Sequence, residues 1–558
     1  MERAISHDSI SRQPARNSIG RIMVTIRSRL VGADGLPELP RSEPDISLPT
    51  GWDGTADATI GAGGDLQAAL NAVVQNAGIY IIEITAGVTL TAGPYAVKNK
   101  TGTDWLIIRS SGAVGAGTLP GEGVRVTDSD VGQMATLQAS ALNEQILGFE
   151  ADAHNVRIIG IEFEQTHVSR TMNYAWLRVN NGGQDNIIFD RIWSHGAENS
   201  NNFEGIQIKK PDDGLPMSNI SVINSRVTGV QTYEFGGESH AIYMHGVLGG
   251  LVENNYTEGA GMGYLNGGLG FSDPDSTLCQ DITVRGNHMY KPARWRTDLV
   301  DPGGPNDGFL ADTKNCFETK EGQRMLIEGN LFENSFGSLQ DGVGLVFKSD
   351  EGNSTDITVR NNFVLGCRRS FLMSGIKTPG LTAPMLVENN VFWTEENESF
   401  PQNFKFGATG DMGKVTVRQN TFFDVGGYHG IYFNQFRTTF VESLTYQNNI
   451  LAAGGVIQAD GGSQGDAAVS GCCTEFDFDY NLIRRSSGGY AEIPGFENFV
   501  NVTTNAEINF TTNPPTQLSD FVLLSTSPGH PTTDPTLPAI LGADISAITA
   551  ALNDSPLD

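Results

Sequence analysis

The stretch Asp281-Ile-Thr-Val-Arg-Gly-Asn287-His-Met-Tyr290 is answered further on by Arg324-Met-Leu-Ile-Glu-Gly-Asn330-Leu-Phe-Glu333, with a long charged excursion between the two. In each copy apolar and polar residues alternate, as a strand requires, and the strand phrase runs into an Asn. Carried along the chain, the phrase puts Asn255, Asn287, Asn330, Asn362, Asn390, Asn420, Asn449 and Asn481 in one slot, with Ile161, Asp190 and Ser225 in weaker upstream copies. The interval stays near 30 residues except for one of 43 between Asn287 and Asn330. A period of that length marks a solenoid.

Each period holds short β phrases with Gly and Asn at the corners and no amphipathic helical stretch. That excludes helical arrays and predicts a parallel β-helix in which one period is one coil. An Asn at the same bend of every coil would stack on the next at a strand spacing of about 4.8 Å, each amide bonding its neighbour or the turn backbone.

These residues resemble the right-handed parallel β-helix repeat proteins of the pectin-lyase-like superfamily. The resemblance is closest in Asp281 to Lys291 (DITVRGNHMYK, continuing PARWR) and in Lys314 to Phe336 (KNCFETKEGQRMLIEGNLFENSF), and extends from near Gly63 to Gly542-Ala-Asp-Ile545. It implies an all-β fold, a right-handed single-stranded parallel β-helix. The superfamily includes polysaccharide lyases, glycoside hydrolases, phage tailspikes and proteins of unassigned role, so the resemblance implies a fold more than an activity.

Composition narrows the partners. A chain of 558 residues exceeds the usual limit of a single core, but a solenoid escapes that limit because each coil packs only on its neighbours. Lys and Arg number 36 against 64 Asp and Glu, a formal net charge of −28, which argues against nucleic acid or an anionic membrane as partner. No apolar run approaches the length of a membrane span. Five cysteines do not form a disulfide framework, and no Cys/His spacing suggests zinc. Cys279, Cys316 and Cys367 read as small buried packing, and Cys472-Cys473 as a vicinal pair ill suited to a disulfide.

Taken in order, residues 1–35 form a basic arm with six Arg in Met1 to Leu30 and no apolar core of a secretory signal. Residues 36–60 are a Pro-rich linker, 61–490 the β-helix, and 491–558 the closing strands and cap. Asp65 to Val74 (DLQAALNAVV) predicts a short N-terminal helix, capped by Asp65, over the open end of the first coil. Ile79 to Ile84, Trp105 to Ser110 and Gln145 to Phe149 read as the first strands.

A second strand phrase recurs ahead of the Asn corner: Ile206–Lys209, Ile242–His245, Leu269–Ser272, Phe317–Lys320, Leu345–Lys348, Phe404–Gly407 and Ile431–Asn434. If first and third positions are core, the others face out. Two columns result, Gln207, Tyr243, Glu318, Lys405 and Tyr432 beside Lys209, His245, Ser272, Lys320 and Lys348. Ammonium groups suit carboxylates and aromatic faces suit sugar rings, so the stripe is a candidate polysaccharide-binding surface. The insertion Lys291 to Ala311 adds Arg294, Trp295 and Arg296 for binding, or for fixing the loop, and Asp298, Asp301 and Asp307 as carboxylates.

The catalytic candidates are Glu318, Lys320, Asp298 and Asp301; the binding candidates are Lys209, Tyr243, His245, Arg294, Trp295, Arg296 and Lys348. A hydrolase would pair Glu318 with Asp298 or Asp301, and a lyase would use Lys320 as base. No cofactor is expected unless the chain is a lyase, where calcium held on Asp would neutralise a uronate. Three readings stay open: a tailspike-like virion or extracellular surface protein that binds polysaccharide, a secreted lyase or hydrolase, and a structural β-helix. The first expects a homotrimer docked on other virion or surface proteins through the basic arm.

Overall fold

The protein was analysed as a computed structural model that describes residues 35–553 apart from scattered stretches, the longest being 168–174, 269–278, 297–310, 376–383, 395–401, 485–499 and 528–540. The chain winds into a right-handed parallel β-helix of three sheets, with 14, 14 and 12 strands in the described residues. One coil runs from the first sheet (Gln280–Arg285) through the Asn corner to the second (His288–Tyr290). It then crosses to the third (Asn315–Thr319) and returns to the first at Gln323–Glu328.

The Asn corner is a continuous ladder. Asn330 Oδ1 accepts from the backbone N–H of Asn287 at 3.0 Å and from its Nδ2 at 2.9 Å. Asn330 Nδ2 in turn donates to the Val284 carbonyl and to Asn362 Oδ1. The same bonding runs from Asn255 to Asn481. The residue ahead of each rung turns the corner in the left-handed region: Asn254, Asn361, Asn389 and Asn448 at φ 54 to 58°, Gly286 and Gly329 at 62 to 63°, Gln419 and Tyr480 at 55 to 56°. Asn and Gly are the residues that take this conformation cheaply, which is why the sequence reads Asn-Asn or Gly-Asn at six of the eight corners; Gln419 and Tyr480 adopt it at the other two.

Upstream the slot is held differently from the expectation. Trp193 pairs with Glu162 and Arg226, so Ile192, not Asp190, follows Ile161 and precedes Ser225. Ser225 Oγ accepts from the Ile192 N–H at 3.0 Å, and the Ser225 N–H donates to Asn255 Oδ1. Asp190 ends the strand Asp185–Asp190, its fully buried carboxylate 2.9 Å from Arg157 and 3.0 Å from Arg191. A buried carboxylate has no proton to hand to the next coil and takes guanidinium partners instead.

Inside, aromatic rings stack at the coil interval: Phe371 on Phe404 and Phe406 on Phe433 at 4.7 Å, Phe392 on Phe422 at 4.9 Å. All five cysteines are buried thiols. The N-terminal end is closed by the helix Leu66–Ala72, whose cap Asp65 accepts from the Ala68 N–H at 2.9 Å and whose Leu66, Ala69 and Leu70 enter the core.

The chain's ends supply further layers. The Pro-rich stretch runs back along the outside of the first sheet as a strap. Leu48 and Trp52 pack on Ile81, Ile107 and Ile159, and Ile46 on Ile188, Ile223 and Leu251. Arg157 Nη1 donates to the Ile46 carbonyl, Glu43 accepts from Thr283 and Arg285, and the Glu38 N–H donates to Asp356 Oδ1 at 3.1 Å. On the second sheet, Leu331, Phe363, Val391, Phe423, Ile450 and Leu482 lie under Ile508, Phe510, Phe521, Leu541, Ile545 and Ile548.

Candidate functional site

Strand pairing in the third sheet sets Gln207, Tyr243, Leu265, Glu318, Val346, Leu372, Lys405, Tyr432 and Gln458 in one column. The expected column is therefore in register, but Leu265, Val346 and Leu372 interrupt it. The strand of the coil before Glu318 is Met262–Asn266 rather than Leu269–Ser272, and Ser272 lies outside the described residues. Lys209 pairs with His245, and Lys348 with Ser374, in the neighbouring column.

The side chains gather at Glu318. Its carboxylate is completely buried, with Lys314 Nζ at 3.0 Å, Lys348 Nζ at 3.4 Å and Lys320 Nζ at 4.0 Å. Asn315 Nδ2 donates to it at 2.7 Å, and Lys314 is shared with Glu238 at 2.6 Å. Burial pushes the Glu318 carboxyl up, but the charges of Lys314, Lys348 and Lys320 outweigh it and hold the acid below the ordinary Glu range. Burial pulls Lys314 down, and Glu318 and Glu238 more than restore it. Three ammonium groups thus stand against two carboxylates, with a surplus of positive charge on an acidic protein. The Lys320 stem passes close to Gly268, where an added Cβ would come within 2.9 Å of its Cδ.

A fixed anion clamped by lysines is unsuited to donate a proton, so the general-acid role a hydrolase would ask of Glu318 does not fit it. The arrangement suits electrostatic capture of a carboxylate-bearing ligand, with Lys348, whose side chain is 31 % exposed, as the reachable ammonium. Farther along the column Lys405 stands over the Tyr432 ring at 6.0 Å.

Several binding candidates are enclosed instead. Tyr243 packs with Met262 and Leu265, and its ring lies 5.3 Å from that of His240. His245 is buried, and burial, with Lys209 and Lys210 nearby, lowers it to about 4, so the imidazole is neutral at neutral pH and adds no cation to the stripe. Strand alternation gave the direction of these side chains correctly but not their cover.

Trp295 offers no open ring face: it is fully buried with Tyr233, Ala260, Ala311 and Phe336. Arg296 lies over Phe336, and Lys291 donates to the carbonyls of Gly259 and Ala260 at 2.7 and 2.6 Å. The KPARWR motif therefore anchors the insertion, and only Arg294 of the three binding candidates turns toward another cavity, on the second sheet, bonded to Glu258 at 2.9 Å. Asp298, Asp301 and Asp307 lie outside the described residues. Among the described residues no group of His, Cys, Asp and Glu could hold a metal ion, and no helix is long and apolar enough to cross a membrane. Lys314 was not singled out in the sequence because it precedes its strand phrase.

No protein-family model matches the chain, and no curated protein does. Among solved structures it is similar to a tailspike protein mutant of E. coli bacteriophage HK620 in complex with pentasaccharide, at 14 % identity over 85 % of this chain and 83 % of that one, TM-score 0.45. It is also similar to the catalytic unit of a GH87 alpha-1,3-glucanase from Streptomyces thermodiastaticus, at 12 % identity over 81 % and 69 %, TM-score 0.44. A third is the A-module of a mannuronan C-5 epimerase of Azotobacter vinelandii, at 12 % identity over 78 % and 93 %, TM-score 0.43.

Proposed function

We propose that this β-helix holds an acidic polysaccharide against its third sheet, with the Lys314–Lys320–Lys348 cluster receiving uronate carboxylates. The observation that carries the reading is the surplus of ammonium charge around Glu318, on a protein whose overall charge is −28. Local charge of that sign draws in and orients an anionic chain that the rest of the surface repels. Lys405 and Tyr432 extend the track along the axis, with an ammonium and a ring face for further sugar units.

The setting that goes with this reading is a virion or extracellular surface, tailspike-like, with the N-terminal arm as attachment and a homotrimer as the assembly. Light scattering on the purified full chain tests the trimer. Binding is tested on a panel of acidic and neutral polysaccharides, each followed for unsaturated and reducing ends. Retention on acidic glycans alone supports the reading, and retention on none overturns it. New unsaturated ends would add lyase activity with Lys320 as the residue to examine; reducing ends alone would point to a hydrolase.

A further inference from the structure

The second sheet changes character along its length. Its C-terminal half is apolar on the outside and covered by the chain's own C-terminal segment. Its N-terminal half instead shows Glu162, Trp193, Arg226 and Tyr256 in the same outward column. A solvated face needs only small or flexible polar residues, whereas half-buried rings and ion pairs cost desolvation. Trp193 and Arg226 of this column line a cavity of about 230 Å³ together with Asp128, His195, Glu258 and Arg294, among others.

Most polar groups of that cavity are held by partners, and Asp128 stands exposed at its edge. Trp193 Nε1 donates to Thr228 Oγ1 at 3.0 Å, and its ring lies 4.5 Å from that of His195. His195 Nε2 is 2.9 Å from Glu162, which takes the Thr136 hydroxyl on its other oxygen. Arg226 is placed over the Tyr256 ring at 4.4 Å and pairs with Asp128 at 2.9 Å. Arg294 pairs with Glu258, which also accepts from the Tyr256 hydroxyl at 3.0 Å.

We propose that this cavity is a second binding site, separate from the lysine cluster, that takes one neutral hexose-type sugar unit. The volume falls below that of sites for drug-sized ligands and suits a single ring. Two guanidinium groups are balanced by two carboxylates, so no net charge favours an anion. A sugar carries neighbouring hydroxyls that each donate and accept, and two paired donor–acceptor sets, Asp128 with Arg226 and Glu258 with Arg294, meet that pattern. The indole supplies the apolar surface for the C–H face of the ring. Because Trp193, His195, Glu258 and Arg294 are already held in place, little ordering of these groups is needed on binding.

The test is a titration of the full chain with glucose, galactose, mannose and N-acetylglucosamine, read by intrinsic fluorescence and by saturation-transfer NMR. At least one should bind with a Kd on the order of millimolar, as a ligand of about a dozen heavy atoms allows. Arg294→Ala and Trp193→Ala should each weaken it tenfold or more with the thermal midpoint held, and Lys348→Ala should leave it unchanged. Arg294→Lys, which keeps the charge but not the planar fork, separates loss of recognition from loss of fold and should also weaken binding. Silence for all four sugars, binding of glucuronate in preference to glucose, or loss of binding in Lys348→Ala would each overturn the proposal. Failure of acidic-glycan binding at the lysine cluster would leave it standing.

Discussion

Lys348 reaches down to Glu318, its Nζ 3.4 Å from Oε1 of a carboxylate that is itself fully buried, while the lysine side chain stays 31 % exposed. One partner is part of the core's electrostatics and the other is available to a ligand.

The two should separate on mutation. Glu318→Gln removes one of the two counter-charges of the mostly buried Lys314, leaving Glu238, and should cost about 1.5 to 3 kcal/mol of stability. Lys348→Ala should cost under about 1 kcal/mol and still weaken binding of an acidic polysaccharide about tenfold. Thermal unfolding and affinity gels on both variants decide it. A stable Glu318→Gln, or undiminished binding by Lys348→Ala, would remove the cluster from the proposed function.

In the ladder, Asn362→Ala leaves the Asn330 N–H and Nδ2 without the Oδ1 they share, at 2.9 and 3.0 Å, and the Ile327 and Arg360 carbonyls without their Nδ2 donor. Each buried group left unpaired costs about 1 to 3 kcal/mol, so chemical denaturation should show a loss of several kcal/mol. A change under 1 kcal/mol would mean that water or a local shift replaces the rung.

His245 should make stability fall as the solution is acidified. Its folded value of about 4 lies below the ordinary 6.5. Between those values the unfolded chain binds the extra proton, so the unfolding free energy drops as pH falls through that window, by up to roughly 3 kcal/mol. His245→Leu should flatten that part of the curve in denaturant titrations at stepped pH; an unaltered slope would assign it elsewhere. Glu318 and Asp190, both held below their ordinary values, add their loss as pH falls further, from the ordinary carboxylate range downward.

Removing residues 1–54 should bare Ile81, Ile107, Ile159, Ile188, Ile223 and Leu251. Apolar side chains of this size contribute about 1.5 to 3 kcal/mol each when covered. The shortened chain should melt earlier and bind a hydrophobic dye in its native baseline. Unchanged melting with no dye uptake would show that the strap adds nothing to the solenoid.

The solenoid was legible because one residue type does one job at a fixed interval: Asn255 to Asn481 keep phase through eight coils. Where that residue is missing, phase is lost, and Asp190 was taken for a rung that Ile192 holds. Leu269 to Ser272 reads as a strand phrase but lies outside the described residues, while the strand paired with Asn315–Thr319 is Met262–Asn266, whose Gly263 and Tyr264 break the simple alternation. Periodicity gives the side a strand residue points to but not its cover, hence the enclosed Tyr243 and His245; Trp295, in the insertion, is buried against Tyr233, Ala260, Ala311 and Phe336. The second-sheet cavity draws Asp128, Trp193, Arg226 and Arg294 from separate coils, and no local pattern unites them.

The strap also bears on the order in which the molecule can be completed. A solenoid grows coil by coil, each finding its seat on the one before. Glu38, however, rests on Asp356, a residue made 318 positions later. At the usual pace of translation that is a wait on the order of 15 to 60 s for Glu38, whereas Leu48 and Trp52 can settle on Ile81 and Ile107 much sooner. The strap thus fastens from its Trp52 end toward Glu38, and the seating of Glu38 reports that at least the coil of Asp356 has been built.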